Sequence, residues 1–205
     1  MDRVEIKKLA KEKIKGNVFN ILWPILVIGA ISSLLTGFLE DDASTISQIL
    51  LLCVSFLSSI FSICYYAYLM EFVRTGKSSF NTIIEFFKKN FVRILLLSIL
   101  LSVFTVLLTL LFIVPGIIFS YACSMVCFLL IDTDLGPMEL IKESCKMMKG
   151  YKWDYFVFNF SFIGWVLLGI LTFGILYFWL TPYIYVAQYL YYEKLKEKNT
   201  VVVSE

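Results

Sequence analysis

Apolar residues in this 205-residue chain fall into six long runs. Each pair of runs is introduced by a stretch in which charged or polar residues alternate with aliphatic and aromatic ones. In the first such stretch, Asp2 to Lys15, helical spacing puts Ile6, Leu9, Ala10 and Ile14 on one side and lysines around the rest. Gly16-Asn17 ends it, because glycine readily takes the left-handed conformation that follows a helix. The first span runs from about Val18 to Leu39, with Pro24 in its early turns, where a missing backbone N–H costs least. Glu40-Asp41-Asp42 interrupts the apolar run, and the second span covers about Ile46 to Val73.

The pattern then recurs. Phe80, Ile83, Ile84 and Phe87 have the spacing of an interfacial helix closed by Lys88-Lys89-Asn90, asparagine being the second choice for a left-handed helix end. The third span covers about Phe91 to Val114, Pro115-Gly116 reads as a turn, and the fourth span covers about Ile117 to Ile131. At 1.5 Å per residue that fourth run reaches only about 22 Å, so it must extend at one end or sit in thinned bilayer. Gly136 before Pro137 suits an N-cap followed by proline at the first helical position, opening a third surface helix. Its apolar stripe is Met138, Ile141, Cys145 and Met148, and Glu139–Lys142 and Glu143–Lys146 pair on the wet face. A fifth span, about Tyr155 to Leu171, and a sixth, about Ile175 to Tyr192 and kinked at Pro182, complete the set; the tail after Glu193 reads as polar and frayed.

The expected fold is thus an all-α membrane protein: six transmembrane helices in three hairpins, each preceded by a cytoplasmic amphipathic helix. One polytopic domain, 1–205, would contain units 1–73, 74–131 and 132–205. An offset of 134 aligns Lys8 with Lys142, Ile14 with Met148, Lys15 with Lys149 and Gly16 with Gly150. That alignment supports a threefold pseudo-repeat, although separate selection for surface helices would give the same pattern.

Composition removes the soluble alternative, since 60% hydrophobic and 17% charged residues cannot cover a water-exposed surface. Charge distribution then sets orientation. The 18 Lys and Arg residues fall as six before the first span, five from Arg74 to Arg93, four from Lys142 to Lys152 and three after the sixth span. The opposite loops hold none, and their only charges are Glu40, Asp41 and Asp42. Lys and Arg stay on the cytoplasmic side, so both termini and all three surface helices are expected there, in a bacterial cytoplasmic membrane. The first run has span length, so a cleavable signal is not expected. No nucleic-acid-binding motif accompanies the basic residues.

Laid out in this way, the chain resembles an uncharacterised family of bacterial integral membrane proteins, a domain of unknown function found mainly in Gram-positive organisms. The residues that carry the likeness are Lys15-Gly16-Asn17, Pro115-Gly116, Glu139 to Ser144 leading to Met148-Lys149-Gly150, Phe162 to Trp165, Thr181-Pro182-Tyr183 and the tyrosines ending at Tyr192. It is more loosely similar to the membrane portion attached to some glycerophosphodiester phosphodiesterases. The resemblance supports the fold and implies no activity.

Candidate chemistry is sparse. Asp132 and Asp134 are weak metal candidates, since paired aspartates near a membrane can hold Mg²⁺ against phosphates, but one Asp-x-Asp without further acidic ligands is better explained as a solvated helix-starting turn. Glu71 and Arg74 read as an interfacial ion pair. Cys123 and Cys127, four apart, read as small packing residues in a chain with no histidine, and five cysteines make no disulfide framework. No span carries a charge near its centre, as proton-coupled transporters usually require. Asn20, Asn159, Gln188 and the spaced small pairs Gly29/Ser33, Ser58/Ser62 and Ser120/Ser124 read as helix-packing contacts. Trp153, Tyr155, Tyr191 and Tyr192 fall near predicted water boundaries.

Three functional readings follow. The leading one is a non-enzymatic module that binds anionic lipid headgroups through Lys8, Lys11, Lys15, Lys88, Lys89, Lys142, Lys146 and Lys149, as in envelope stress tolerance or immunity to membrane-active peptides. Orientation during insertion is the plainer purpose for the same lysines. The second is a transporter or flippase for an amphiphile along the seam around Pro182; the third is an intramembrane lipid-modifying enzyme at Asp132 and Asp134. The expected partners are membrane lipids, with a membrane-protein partner or homo-oligomer left open and nucleic acid not expected. No cofactor is expected.

Overall fold

The computed structural model describes residues 3–40, 44–76, 79–111 and 113–203. Asp41, Asp42 and Lys77 therefore lie outside the described residues. Ten helices follow in chain order: α1 Arg3–Ile14, α2 Val18–Glu40, α3 Thr45–Thr75, α4 Phe80–Leu111, α5 Ile113–Ala122, α6 Val126–Asp132, α7 Pro137–Met147, α8 Lys152–Phe160, α9 Ile163–Leu171 and α10 Tyr177–Val203. Five stretches are long and apolar enough to cross a membrane: Val18–Leu39, Thr45–Thr75, Phe80–Leu110, Val114–Asp132 and Lys152–Leu171. The sixth expected span falls in α10, where six tyrosines, Gln188 and Pro182 dilute the apolar residues below that standard. The helix also continues past Glu193 to Val203 with Leu195 fully buried, so the tail is ordered helix rather than a frayed end.

The local signals that end helices are mostly met. Gly16 and Gly150 both adopt left-handed backbone, with φ of 86° and 85°, where a Cβ is disfavoured. Gly136 caps α7 and donates its N–H to Glu139 Oε2 at 3.0 Å, with Pro137 at the first helical position. Asn90 departs from expectation: its φ is −115°, so it kinks α4 instead of ending a helix in the left-handed region. Its amide donates back to the Phe86 carbonyl at 3.3 Å while its side-chain oxygen accepts from Arg93 at 3.2 Å. The second surface helix and the third span are thus two helical segments joined at this kink, the boundary read from the sequence but without left-handed backbone.

Pro115-Gly116 is not the turn either. Both residues lie in the first turn of α5, where proline loses no hydrogen bond. Gly116 instead allows close packing, since a Cβ there would stand 2.5 Å from Thr109 Oγ1 and 3.0 Å from the Thr109 Cα. The fourth span is broken at Cys123–Met125 and the fifth at Ser161–Phe162.

The chain packs as two compact units, Met1–Val18 with Ile99–Glu205, and Phe19–Ser98. Within Phe19–Ser98, Tyr65 and Tyr68 of α3 donate to the Ile21 and Asn20 carbonyls of α2 at 2.8 and 2.7 Å. These carbonyls lie near Pro24, whose missing N–H leaves one carbonyl of the preceding turn without its helical donor. Ser32 and Ser58 join the same two helices at 2.8 Å, whereas Gly29 and Ser33 are exposed. In the other unit α1 packs along α10, and α7 packs on α6 and α10. Gln188 donates to Asn159 at 3.2 Å, a helix-packing contact as read from the sequence.

Candidate functional site

The apolar stripes of α1 and α7 face protein. Ile6, Ala10 and Ile14 are buried, while Leu9 is partly exposed. On α7 the buried residues are Leu140, Ile141, Ser144 and Met147, joined by Met148 just beyond its end. Met138 is exposed and Cys145 half-buried, so the expected stripe is rotated. The buried face centres on Leu140, Ile141, Met147 and Met148, and Ser144 within it donates to the Ala122 carbonyl at 2.7 Å. Cys145 neighbours Cys123, and the helix break separates Cys123 from Cys127 as helical neighbours.

With the apolar faces turned inward, the lysines face out. Lys8, Lys11, Lys15, Lys88, Lys89, Lys142, Lys146 and Lys149 are all exposed. Among the described residues only Lys146 of the eight pairs with a carboxylate, Glu143 one turn away at 3.8 Å. Glu139 turns to the Gly136 N–H instead of to Lys142. All eight lysine side chains therefore stand on the surface.

A second set of charges is consumed internally. Arg3 of α1 meets Asp154 of α8 at 2.5 Å, and Asp154 also accepts the Tyr191 hydroxyl at 3.0 Å. Asp132, at the end of α6, accepts the next tyrosine, Tyr192, at 2.9 Å and Lys196 at 2.8 Å. Glu5 pairs with Lys194. Consecutive tyrosines of α10 therefore clamp two carboxylates from different helices, and the three acids each hold a cation. Lys7 is set apart from its neighbours: it donates to Ser161 Oγ at 2.5 Å and lies 4.5 Å over the Phe162 ring. Partial burial lowers its pKa. Sequence reading missed Arg3, Lys7, Asp154 and Lys196. The one local hint was a tyrosine pair following a run of 36 residues without a charge, Tyr155 to Leu190.

The remaining candidates are dispersed. Asp132 is nearly buried and engaged by Tyr192 and Lys196, while Asp134 is exposed; among the described residues no three His, Cys, Asp or Glu gather as metal ligands would. Glu71 accepts the Thr82 hydroxyl of α4 at 2.5 Å, and Arg74 is exposed. Tyr191, Tyr192 and Tyr155 are buried, so of the expected boundary aromatics Trp153 alone sits on the surface.

The all-helical fold, with five apolar stretches of span length among the described residues, is compatible with a multi-pass membrane protein. The chain belongs to the DUF975 family of proteins of unknown function, whose model matches residues 1–119 and 105–199. No curated protein and no solved structure matches it.

Proposed function

We propose that this is a non-enzymatic protein of a bacterial cytoplasmic membrane, with both termini cytoplasmic, whose basic helices gather anionic lipid headgroups. The observation that supports this reading is the division of labour among the cations. Arg3, Lys194 and Lys196 hold the fold together, whereas Lys142 and Lys146 of α7 and Lys149 in the turn after it are held outward beside an apolar face that is packed on protein. A helix needed only to anchor the chain would keep its apolar face for lipid; this one leaves its charges for that contact. Each basic side chain near an anionic surface contributes about 1 kcal/mol, so these three favour a headgroup cluster by about 3 kcal/mol at low salt. The lipid-modifying alternative rests on Asp132 and Asp134; the Asp132 carboxylate is already taken by Tyr192 and Lys196, and Asp134 is exposed.

Replacing Lys142, Lys146 and Lys149 with glutamine leaves the other basic clusters to fix orientation. Native mass spectrometry of wild type and variant, purified with phosphatidylglycerol and phosphatidylcholine, then reads retained lipid. Reduced phosphatidylglycerol retention is expected; equal retention in a correctly oriented variant leaves these lysines only their topological role.

A further inference from the structure

Cys123 and Cys145 are 22 residues apart in the chain and side by side in the fold. Ala122 ends α5, just before the break in the fourth span, and its carbonyl accepts the Ser144 hydroxyl of α7 at 2.7 Å. Ser144 is 0% exposed and Ala122 3%, so this bond is shielded from water and ties the two chain segments together. Each cysteine is the next residue along its segment. Leu140 and Ile141 before Ser144, and Met147 and Met148 after it, turn the same face of α7 inward. The two thiols are therefore held together by packing along the helix as well as by the single hydrogen bond.

Their surroundings divide the chemistry between them. Both are half-buried free thiols. Cys145 stands on α7, outside the apolar stretches of span length and flanked by exposed Lys142 and Lys146, so a small water-borne oxidant reaches it first. Cys123 lies within Val114–Asp132, at the interruption Cys123–Met125. A disulfide needs Cα atoms about 4.4–6.8 Å apart, and a residue at a helix break adjusts toward that geometry more readily than one inside a continuous helix. The other thiols are placed less well. Cys53 and Cys64 belong to the other compact unit, Phe19–Ser98, and Cys127 lies beyond the break.

We propose that Cys123 and Cys145 form a redox-active dithiol that a peroxide closes to a disulfide. The Cys145 thiolate attacks one peroxide oxygen, the O–O bond breaks, and hydroxide leaves, giving a sulfenic acid. The Cys123 sulfur then attacks that of Cys145; the S–S bond forms as the S–O bond breaks, and the departing hydroxide takes the Cys123 proton as water. Two thiols lose two electrons and two protons in all, and hydrogen peroxide is reduced to two waters. With α7 on the cytoplasmic side, as proposed above, the reducing thiol pool there returns the pair to its open form. The bond is then a reversible clamp between α7 and the end of α5. The pair rests on the packing of these two segments and not on lipid binding by the lysines.

The full-length protein in detergent is treated with hydrogen peroxide, alkylated, digested without reduction and mapped by mass spectrometry. The dithiol predicts that free thiol is lost from Cys123 and Cys145 in equal proportion, that the two peptides appear joined, and that dithiothreitol separates them. Cys123→Ser, shown by circular dichroism to keep its helix content, should instead accumulate a sulfenic acid at Cys145 that dimedone traps. A disulfide formed chiefly by Cys127, or between chains through Cys53, overturns the proposal. So does peroxide treatment that leaves both thiols free.

Discussion

Asp132 gives the sharpest energetic test of the clamp formed by α10. Its side chain is 5% exposed and accepts from the buried Tyr192 hydroxyl at 2.9 Å and from Lys196 at 2.8 Å. A hydrogen bond to a charged acceptor contributes about 1.5–3 kcal/mol. The Lys196 ammonium is 48% exposed, so its ion pair adds only about 0–1 kcal/mol. Asp132→Ala removes both and should cost about 2–4 kcal/mol, whereas Asp132→Asn keeps an acceptor oxygen for Tyr192 and should cost about 1 kcal/mol. Unfolding of the detergent-solubilised protein, followed by helical circular dichroism against denaturant, reads both values. Equal stability of wild type and Asp132→Ala would refute the clamp, and equal loss in both variants would show that charge, not the Tyr192 bond, dominates.

Further substitutions separate close packing from open space. Gly116→Ala drives a Cβ against the Thr109 backbone and should lose about 1–3 kcal/mol, while Gly164→Ala, with nothing within 4 Å, should be neutral or slightly stabilising by the same unfolding assay. Gly169→Ala places its Cβ 3.0 Å from the Tyr177 ring and should strain the Tyr177–Val166 bond; Tyr177→Leu in the same chain should recover part of the loss. Lys7 carries a pH signature. Between its lowered pKa and the ordinary 10.5 the unfolded chain binds more protons than the folded one, so stability rises with pH across that window. The difference between wild type and Lys7→Met, measured from neutral to alkaline pH, should show that rise lost in the variant.

What could be read from sequence was what local sterics decide. Gly16, Gly150 and Gly136-Pro137 mark helix ends because each solves a backbone problem within a few residues. Pro115-Gly116 misled for a related reason: proline suits both a turn and the first turn of a helix, and the close approach of Thr109 that chooses between them is a packing fact. The face of α7 was misjudged because two apolar stripes overlap at Ile141 and Met148, and the one that includes Leu140 and Met147 is buried rather than the one that includes Met138 and Cys145. Arg3–Asp154 joins residues 151 apart, a distance over which no spacing rule operates. That the eight lysines would be exposed was legible residue by residue, since each charge stands outside the apolar runs.

Selectivity of the lipid shell tests the central claim most directly. Spin-labelled phosphatidylglycerol and phosphatidylcholine, each added in turn to the reconstituted protein, report by electron spin resonance the fraction of lipid immobilised at its surface. The account predicts a preference for phosphatidylglycerol that shrinks in the Lys142→Gln, Lys146→Gln, Lys149→Gln variant and fades in wild type as salt is raised. A preference identical in wild type and variant, and unmoved by salt, would contradict it.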